Sequence, residues 1–240
     1  MRLLSLYKDL ARYYDVLYAG KDYAKEAKAV ARVIAKYKRS PGNALLEVAC
    51  GTGRHSAHWK ADFDIVATDA NAGMLRVARR NVKSVAFKQP DMVRMRLGKK
   101  FDAIVCMFSS IGYVRTYARL RRTIRNFAGH LKPGGVVMCE PWFNRGTVER
   151  GRPSLTTFNG KDLKVARVSA HEVGRGTSVM DMHYLVAERG KGVRHYVDRH
   201  VMGLFDPDKT MALMTEAGLH PRFVKNKWSK VDGLFVGVKK

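Results

Sequence analysis

A glycine-containing turn follows the first long apolar run of the chain. The stretch LLEVAC (45–50) leads into Gly51, Thr52 and Gly53, and a polar segment able to begin a helix comes directly after them. Glycines after a strand let the backbone approach a ligand closely, and the amide groups of the next helical turn favour a negative group there. A redox dinucleotide site needs a third glycine where this chain has Ser56. The turn therefore indicates a nucleotide-type ligand, and the missing glycine argues against a redox cofactor.

Two acidic residues follow later strand-like runs and extend this site. Asp69 ends the run DIVATD, where a carboxylate can accept both hydroxyl hydrogens of a ribose. Asp91 follows the run VAFKQ, where it can accept a hydrogen bond from an exocyclic amine while Met92 offers an apolar contact. Together with the turn, these residues predict a site for one adenosine with a carboxylated tail and no pyrophosphate, which is the chemistry of S-adenosylmethionine.

The segments that carry these residues alternate between helical and strand-like patterns. Residues 21–39 place Tyr23, Ala27, Val30 and Ile34 on one stripe with lysines opposite, which predicts an amphipathic helix. Continuous apolar runs between helices are typical of parallel strands, and right-handed crossovers then give a doubly wound α/β sheet. The predicted strands are 44–50, 64–69, 85–89, 102–108 and 135–140, and further helices are predicted over 72–83 and 116–131.

The pattern changes after Leu163. Runs over 163–171, 179–187 and 193–205 are separated by glycine-containing turns, which is typical of an antiparallel meander. A capped helix that ends at Gly218 and a closing strand over 233–238 complete the chain. The fold class predicted is α/β: a Rossmann-like, doubly wound, mostly parallel seven-stranded sheet with an inserted antiparallel β-layer. The predicted main domain is 1–145 and 204–240, and the predicted inserted subdomain is 146–203.

The composition limits the class of protein. Lys and Arg number 45 against 21 Asp and Glu, so the formal net charge is +24 and the surface attracts polyanions. The basic residues are spread along the whole chain, whereas a dedicated nucleic-acid surface concentrates them with aromatics. The sequence has no run of about 18 apolar residues, and its N-terminus becomes charged too early for a secretory signal. We therefore expect a cytoplasmic protein without membrane contact, and the spacing of the three cysteines predicts no metal site.

The order of the motifs EVACGTG, ATDAN, QPDM and LKPGG resembles that of the class I S-adenosylmethionine-dependent methyltransferases, over residues 45–140. Over nearly the whole chain, YDVLYAGKDYAKEA, DAIVCMFSSIGYV, EPWF and GLFVGV resemble the dTDP-3-amino sugar N,N-dimethyltransferases of deoxysugar pathways, in which a β-insertion helps to form the sugar-nucleotide pocket. The resemblance implies cofactor contacts from Ala49, Gly51 and Gly53 at the methionine end, Asp69 and Ala70 at the ribose, Asp91 and Met92 at the adenine, Met107 at the sulfonium, and Tyr23 as a cover.

Methyl transfer to an amine is an in-line displacement, so most of the rate comes from holding the amine near attack distance in a dry site. An ammonium group cannot attack, so the acceptor must first lose a proton to water or to a side chain. Tyr18 matches the family tyrosine at the amino-sugar end. We predict that Tyr18, with Tyr14, orients the amine, because tyrosine hydroxyls ordinarily stay protonated near neutral pH. His183 and His195 on the meander are further candidates, although a lone histidine is more often a hydrogen-bonded strand residue.

Substrate contacts are predicted at the end of the fifth strand and on the insertion. Trp142 is placed either to stack on a base or sugar or to pack under the insertion. Arg145 and Arg167 are predicted partners of an anionic group, and His183 is a predicted substrate contact. The resemblance has gaps for a dTDP-linked substrate, because Val179 and Asp232 stand where the family has arginines.

Three alternative functions remain open from the sequence. The charge favours an RNA methyltransferase, but FSSI (108–111) replaces the Asn/Asp-Pro-Pro-Tyr/Phe segment of enzymes that methylate base amines, and neither Cys106 nor Cys139 follows a proline. An N-methyltransferase of an amino acid or other small amine needs no nucleotide handle. A noncatalytic donor-binding regulator tends to lose donor motifs, and all of them are present here. The predicted partner is a small-molecule amine, with nucleic acid not favoured, and a homodimer is expected.

Overall fold

The structure, a computed structural model, describes residues 11–226, 231 and 233–240. Seven strands form one sheet in the order β10-β11-β5-β4-β1-β2-β3, and β1 to β5 run parallel to one another. Strand β11 is antiparallel to β5, and β10 is antiparallel to β11. These strands are β1 (Ala44–Val48), β2 (Asp64–Thr68), β3 (Ala86–Lys88), β4 (Phe101–Cys106), β5 (Leu131–Cys139), β10 (Leu219–Lys225) and β11 (Gly233–Lys239).

Helices cover both faces of this sheet. They are α1 (Ala11–Leu17), α2 (Tyr23–Tyr37), α3 (Arg54–Trp59), α4 (Ala72–Asn81), a 3₁₀ helix (Ser110–Val114), α5 (Tyr117–His130) and α6 (Pro207–Glu216). The predicted helix 21–39 is α2. It begins where the Asp22 side chain accepts a hydrogen bond from Lys25 N at 2.9 Å, as N-cap residues do. Helix α1 was not predicted from the sequence.

The core consists of two apolar layers, one on each face of the main sheet. Leu45 packs in the layer that contains Val30 and Ile34 of α2, whereas Leu46 packs in the layer that contains Phe127 of α5. Neighbouring residues of a strand point to opposite faces, so a continuous apolar run supplies both layers. This packing holds the carboxyl ends of β1 to β4 in a fixed row.

A second sheet of four antiparallel strands lies between β5 and α6 in the chain. Its strands are β6 (Pro153–Asn159), β7 (Leu163–Val173), β8 (Thr177–Glu188) and β9 (Gly192–Gly203), paired in that order. On its inner face, Val165 and Tyr184 pack against Tyr13 and Leu17 of α1. Alternate residues of the same strands face outward, as Leu185 does. The inner face thus joins the inserted sheet to the helix that precedes the main sheet.

The predicted fold class is confirmed, with differences at particular elements. The inserted sheet has a fourth strand, β6, in addition to the three predicted. The position of β10, the seventh strand of the main sheet, was not predicted from the sequence. Strand β5 begins at Leu131, whereas 135 was predicted, and its pairing with β4 shifts register between Phe101 and Ala103. The domain boundaries at 145 and 204 stay a prediction. Within the described residues, no helix is both long and apolar enough to cross a membrane.

Candidate functional site

The predicted donor-side residues lie at the carboxyl ends of four adjacent strands. The order β3-β2-β1-β4 places these strand ends side by side, about 4.8 Å apart. The chain proceeds from β1 to one side through β2 and β3 and then to the other side through β4, so β1 and β4 flank a topological switch point, where open α/β sheets bind ligands. The strand ends are followed by Ala49, Gly51 and Gly53 after β1, Asp69 and Ala70 after β2, Asp91 and Met92 after β3, and Met107 after β4.

The turn after β1 adopts a left-handed backbone at three positions. The φ angle is +57° at Ala49, +56° at Gly51 and +79° at Gly53. A Cβ added to Gly51 would meet no atom of the described chain within 4 Å, so the turn faces open space there. A Cβ on Gly53 would approach Val82 Cγ2 to 3.2 Å, so this glycine lets the turn pack against α4. The turn therefore fits a ligand that closely approaches its backbone.

Asp69 is half-buried and shapes the glycine turn. Its Oδ2 accepts a hydrogen bond from Gly51 N at 2.9 Å, and its Oδ1 accepts one from Asn71 N at 2.8 Å. Each carboxylate oxygen can accept a further bond, so both stay competent to accept from ribose hydroxyls. Burial raises the pKa of Asp69 despite these backbone bonds. Ala70 is exposed, and its carbonyl accepts from Gln89 Nε2 at 3.2 Å.

Asp91 and Met92 lie at the end of the row farthest from Met107. Asp91 is exposed, and its Oδ1 accepts a hydrogen bond from Val93 N at 2.8 Å, which shapes the turn. Its Oδ2 lies 3.5 Å from Arg119 Nη2. Met92 is half-buried and packs against the core. This pair thus combines an accessible acceptor with an apolar side chain, as the sequence predicts for an adenine contact.

A buried polar network, which the sequence pattern did not reveal, lies beside the glycine turn. Glu26 lies 2.6 Å from both Lys21 Nζ and His55 Nε2, and Glu47 accepts a hydrogen bond from Ser56. Burial disfavours ionised Glu26, but the hydrogen bonds from His55 and Lys21 lower its pKa overall. Burial lowers the pKa of His55 and raises the pKa of Glu47 to about 8. The network therefore joins α2 to α3 through buried polar contacts.

The three predicted tyrosines come together where α1 approaches α2. The ring centroids of Tyr14 and Tyr18 are 4.6 Å apart, and a side-chain hydrogen bond joins Tyr14 to Tyr23. Burial raises the pKa of Tyr14 well above its usual value. Phe108, which follows Met107, packs edge-on against Tyr18 with ring centroids 5.1 Å apart. These aromatic rings form one cluster beside the end of β4.

Arg167 of the inserted sheet contacts this cluster. Its Nη1 donates to the Tyr18 hydroxyl at 2.8 Å, and its Nη2 donates to Thr156 Oγ1 at 2.9 Å. The Tyr18 oxygen is the acceptor in this bond, so its own hydrogen stays available as a donor. The guanidinium fork predicted to meet an anion is thus directed at protein groups, and its clearest effect in the structure is to fix Tyr18.

The segment after β4 is held in a strained conformation. Phe108 and Ser109 have φ angles of +55° and +58°, which non-glycine residues rarely adopt. Phe108 N donates to Glu140 Oε2 at 2.7 Å, and Ser109 Oγ donates to the Pro141 carbonyl at 2.6 Å. Such strain persists where surrounding contacts enforce it, and it is common at functional sites. Here it brings the Phe108 ring against Tyr18 and within 4.4 Å of Lys21 Nζ.

Trp142 and Arg145 follow the end of β5 in the chain. Trp142 Nε1 donates to Ser178 Oγ at 2.9 Å, and its ring stacks on that of His171 with centroids 5.8 Å apart. Trp142 therefore packs against the inserted sheet, and its role as a substrate contact stays a prediction. Arg145 is exposed and lines a surface depression with Arg175 at the β7–β8 turn.

His183 and His195 lie on the outer face of the inserted sheet. Their rings stack, with His183 Nδ1 3.2 Å from His195 Nε2, and both side chains are exposed. Arg167 pairs with Tyr184 across the strands, so Tyr184 shares its face and the adjacent His183 points the opposite way. The structure therefore does not bring His183 to the tyrosine cluster. Val179 also points outward, and Asp232 lies outside the described residues.

Asp15 is a site residue that the sequence reasoning missed. Its carboxylate accepts a hydrogen bond from Thr52 Oγ1 at 2.6 Å and one from Asn81 Nδ2 at 3.2 Å. It stands between the predicted residues Tyr14 and Tyr18, and its position in YYDVLY was the only available signal. Asp15 thus connects α1 to the glycine turn, and Tyr18, directly after α1, contacts the inserted sheet.

The chain is similar to known proteins in sequence and in fold. A family model described as a methyltransferase domain matches residues 45–135. The dTDP-3-amino-3,4,6-trideoxy-alpha-D-glucopyranose N,N-dimethyltransferase of Streptomyces venezuelae is 42% identical over 96% of this chain and 98% of its own length. The dTDP-4-amino-2,3,4,6-tetradeoxy-D-glucose N,N-dimethyltransferase of Saccharopolyspora spinosa is 33% identical over 96% of this chain and 93% of its own length.

Solved structures show the same similarity over the whole fold. The crystal structure of DesVI from Streptomyces venezuelae superimposes with a TM-score of 0.90 at 39% identity, covering 97% of this chain and 99% of that one. A S-adenosylmethionine-bound amino pentose methyltransferase from Micromonospora echinaspora gives a TM-score of 0.85 at 29% identity, covering 95% of this chain and 96% of that one. The chain is therefore a S-adenosylmethionine-dependent methyltransferase and belongs to the family of the dTDP-amino sugar N,N-dimethyltransferases.

Proposed function

We propose that this enzyme transfers two methyl groups in succession to the amino group of a dTDP-linked amino sugar. The observation that carries the proposal is the 2.8 Å contact between Tyr18 and Arg167. This contact fixes the Tyr18 hydroxyl between the inserted sheet and the residues that follow β1 to β4, which we call the donor row. A flat, open basic surface suited to RNA would not need such a site. The similarity to sugar N,N-dimethyltransferases over nearly the full chain supports the same acceptor class.

The residues after β1 to β4 fit S-adenosylmethionine as the bound cofactor. We propose that the turn Ala49–Gly53 holds its methionine end, Asp69 and Ala70 its ribose, and Asp91 and Met92 its adenine. Met107 would border the sulfonium, and Tyr23 would cover the methionine end from α2. The cofactor supplies an electrophilic methyl group on sulfur. The open space beside Gly51 and the spare acceptor capacity of Asp69 are the structural observations that support this placement.

On the acceptor side, Tyr18 orients the amine and Arg167 positions Tyr18. Tyr14 and Phe108 exclude water from the space around the amine. The amine is then held near the methyl group without a hydration shell that competes for its lone pair. Tyr14 stays protonated throughout the physiological pH range because burial raises its pKa. Arg145 and Arg175 on the exposed depression are proposed to attract an anionic group of the substrate.

The test is an acceptor panel with purified enzyme and S-adenosylmethionine. A dTDP-3-amino sugar, glycine and unmodified tRNA are incubated separately, and mass spectrometry counts the methyl groups transferred. We expect mono- and then dimethylated sugar, with no turnover of glycine or tRNA. Methylation of tRNA alone would replace the proposal with an RNA substrate, and methylation of glycine alone would replace it with a small amine.

We also propose a homodimer, formed through the outer face of the inserted sheet. Leu155, Val168, Leu185 and Val193 on this face are 67%, 49%, 52% and 71% exposed, and Leu155 pairs directly with Val168. Contiguous apolar surface of this kind is typical of an association site, and a two-fold axis would cover both copies at once. Light scattering should report a dimer for the wild type and a monomer for the double variant Leu185→Lys, Val193→Lys. A wild-type monomer at micromolar concentration would contradict the proposal.

A further inference from the structure

Three polar side chains with no role in the proposed donor and acceptor sites form a chain of contacts between the 3₁₀ helix and β9. The Tyr113 hydroxyl lies 2.6 Å from His200 Nδ1, and His200 Nε2 lies 2.9 Å from Asp198 Oδ2. His200 and Asp198 are 3% and 6% exposed, whereas Tyr113 is half-buried. A buried histidine therefore connects a buried carboxylate to a tyrosine hydroxyl that is partly accessible.

The Asp198 carboxylate favours one placement of the hydrogen on the imidazole. His200 Nε2 lies at ion-pair distance from Asp198 Oδ2, and because a carboxylate offers only acceptors, we assign the hydrogen of the neutral ring to this nitrogen. With this assignment Nδ1 is a lone-pair acceptor, and the Tyr113 hydroxyl donates to it.

Tyr113 belongs to the acceptor side of the site. The 3₁₀ helix directly follows the strained segment Phe108–Ser109 at the carboxyl end of β4. The Tyr113 hydroxyl is close enough to Tyr14 to raise its pKa, although burial is the larger cause. His200 and Asp198 lie on β9, on the same face of the inserted sheet as Tyr184. The chain of contacts therefore begins at the tyrosine cluster and leads away from it into the protein.

We propose that Tyr113, His200 and Asp198 form a relay that removes the proton from the amine acceptor. In this relay Tyr113 is the catalytic residue, because it touches the amine, and His200 and Asp198 act through it. The inference deepens the proposed function and rests on an amine acceptor bound in the site. None of these residues was a candidate in the sequence analysis, where Tyr14, Tyr18, His183 and His195 were considered.

The protons balance in each methylation cycle. The bound ammonium gives one proton to the Tyr113 oxygen as the Tyr113 hydroxyl proton moves to His200 Nδ1, and Asp198 stabilises the resulting imidazolium. The amine lone pair is then available to form the new N–C bond while the C–S bond of the cofactor breaks and its electrons stay on sulfur. The imidazolium returns its proton through Tyr113 to water after the product leaves. The second methylation repeats the same sequence on the monomethylated amine.

The charges around the relay favour this direction of transfer. Asp198 faces His200 from the same strand. Asp181 on β8 pairs with Arg199, with its Oδ1 2.7 Å from Arg199 Nε. The hydrogen bond from Arg199 is the main cause that lowers the pKa of Asp181, and His200 is a smaller one. From the 3₁₀ helix, Tyr113 is the titratable group in contact with the imidazole. A proton on His200 is thus compensated by Asp198, whereas Asp181 is already neutralised by Arg199.

The test is the pH dependence of kcat/KM for the dTDP-amino sugar in Tyr113→Phe. Without the relay the enzyme can use only acceptor that is already unprotonated, so kcat/KM should fall about tenfold per pH unit below the pKa of the amine. We expect the variant to be about a hundredfold slower than wild type near pH 6.5 and within about threefold near pH 9.5. Tyr37→Phe, which removes a hydroxyl about 21 Å along α2 from Tyr23, should match wild type at every pH.

Two further readouts separate a relay from a purely structural contact. Affinity for S-adenosylmethionine, measured by calorimetry, should be unchanged in Tyr113→Phe, and His200→Gln should show the same pH profile. Long-range ¹H–¹⁵N correlation spectra of the wild type should show His200 with its hydrogen on Nε2. A hydrogen on Nδ1, or profiles of Tyr113→Phe and wild type that stay parallel at all pH values, would overturn the proposal. If the wild type does not methylate the sugar at all, the proposed function is contradicted instead. In that case the position of the His200 hydrogen in the spectra still shows whether the relay is assembled.

Discussion

Replacement of Glu47 by Gln is expected to remove a pH dependence from the stability of the fold. Glu47 is 2% exposed at the end of β1, where burial, aided by the charge of Asp69, raises the pKa of its carboxyl group from 4.5 to about 8. Ser56 donates to this carboxyl group and opposes the rise. Between these pH values the folded chain keeps a proton that the unfolded chain releases, so wild-type stability falls as pH rises.

The size of the effect follows from the pKa difference. This stabilising contribution is fully present below pH 4.5 and is lost as pH rises to about 8. Within the window, the free energy of unfolding of the wild type falls by about 1.4 kcal/mol per pH unit relative to a variant with no ionisable group there. Between about pH 5.5 and about pH 7.5, the wild type should therefore lose about 2.7 kcal/mol relative to Glu47→Gln.

Urea unfolding followed by circular dichroism measures this difference. The experiment is done without S-adenosylmethionine, because a ligand that binds only the folded state adds its own stabilisation. Glu149→Gln serves as the control, since the Glu149 side chain is 63% exposed and should leave the pH dependence unchanged. A gap between wild type and Glu47→Gln that stays constant within about 0.5 kcal/mol would refute the reasoning, because Glu47 would then be ionised throughout.

The remaining predictions concern the donor row and the acceptor side. Asp69→Ala should weaken S-adenosylmethionine binding by about 1.5 to 3 kcal/mol in calorimetry. Asp64→Ala, which changes an exposed residue at the start of the same strand, should leave S-adenosylmethionine binding unchanged. Equal affinities of Asp69→Ala and wild type would contradict a ribose contact for Asp69. Tyr18→Phe should lower kcat while the donor Kd stays unchanged, and a matched loss of both would argue against orientation of the amine. Gly53→Ala should destabilise the fold by more than the roughly 1 to 2 kcal/mol of left-handed strain alone, because its Cβ would crowd Val82 at 3.2 Å. Gly151→Ala, with φ +72° and no described atom within 4 Å, should show only that strain in thermal unfolding.

Much of the main sheet was predictable because its signals are local. The run 44–50 is apolar at nearly every position, and the apolar residues of α2 repeat at helical spacing. Each pattern therefore predicts the structure of its own segment. Strand β10 was missed because Pro221 lies within it, and proline argues against a strand. Proline is tolerated there because β10 is the edge of the sheet, where one side of the strand pairs with no other strand among the described residues. Strand β6 begins at Pro153 and is also an edge strand.

The grouping of the donor-side residues was predictable from the sequence, and that of the acceptor-side residues was much less so. The glycine turn and Asp69 follow strands whose order is set by the fold class, so their proximity follows from topology. Tyr18 and Arg167 are 149 residues apart in sequence, and Tyr113 and His200 are 87 apart. No spacing rule joins such pairs, because their contact depends on how the inserted sheet packs against the main one. Likewise, the pattern around His183 indicated a strand without indicating which face would point inward.

Helix α1 has a consequence for how the two ligands of this enzyme influence each other. Asp15 connects it to the glycine turn, and Tyr18, directly after it, contacts the inserted sheet, so this short segment borders both the turn and the inserted sheet. A ligand that restricts the motion of α1 would bear the entropic cost once, and the second ligand would then bind a surface already in place. Linkage would make this enhancement mutual, so the acceptor would tighten donor binding by the same factor by which the donor tightens acceptor binding.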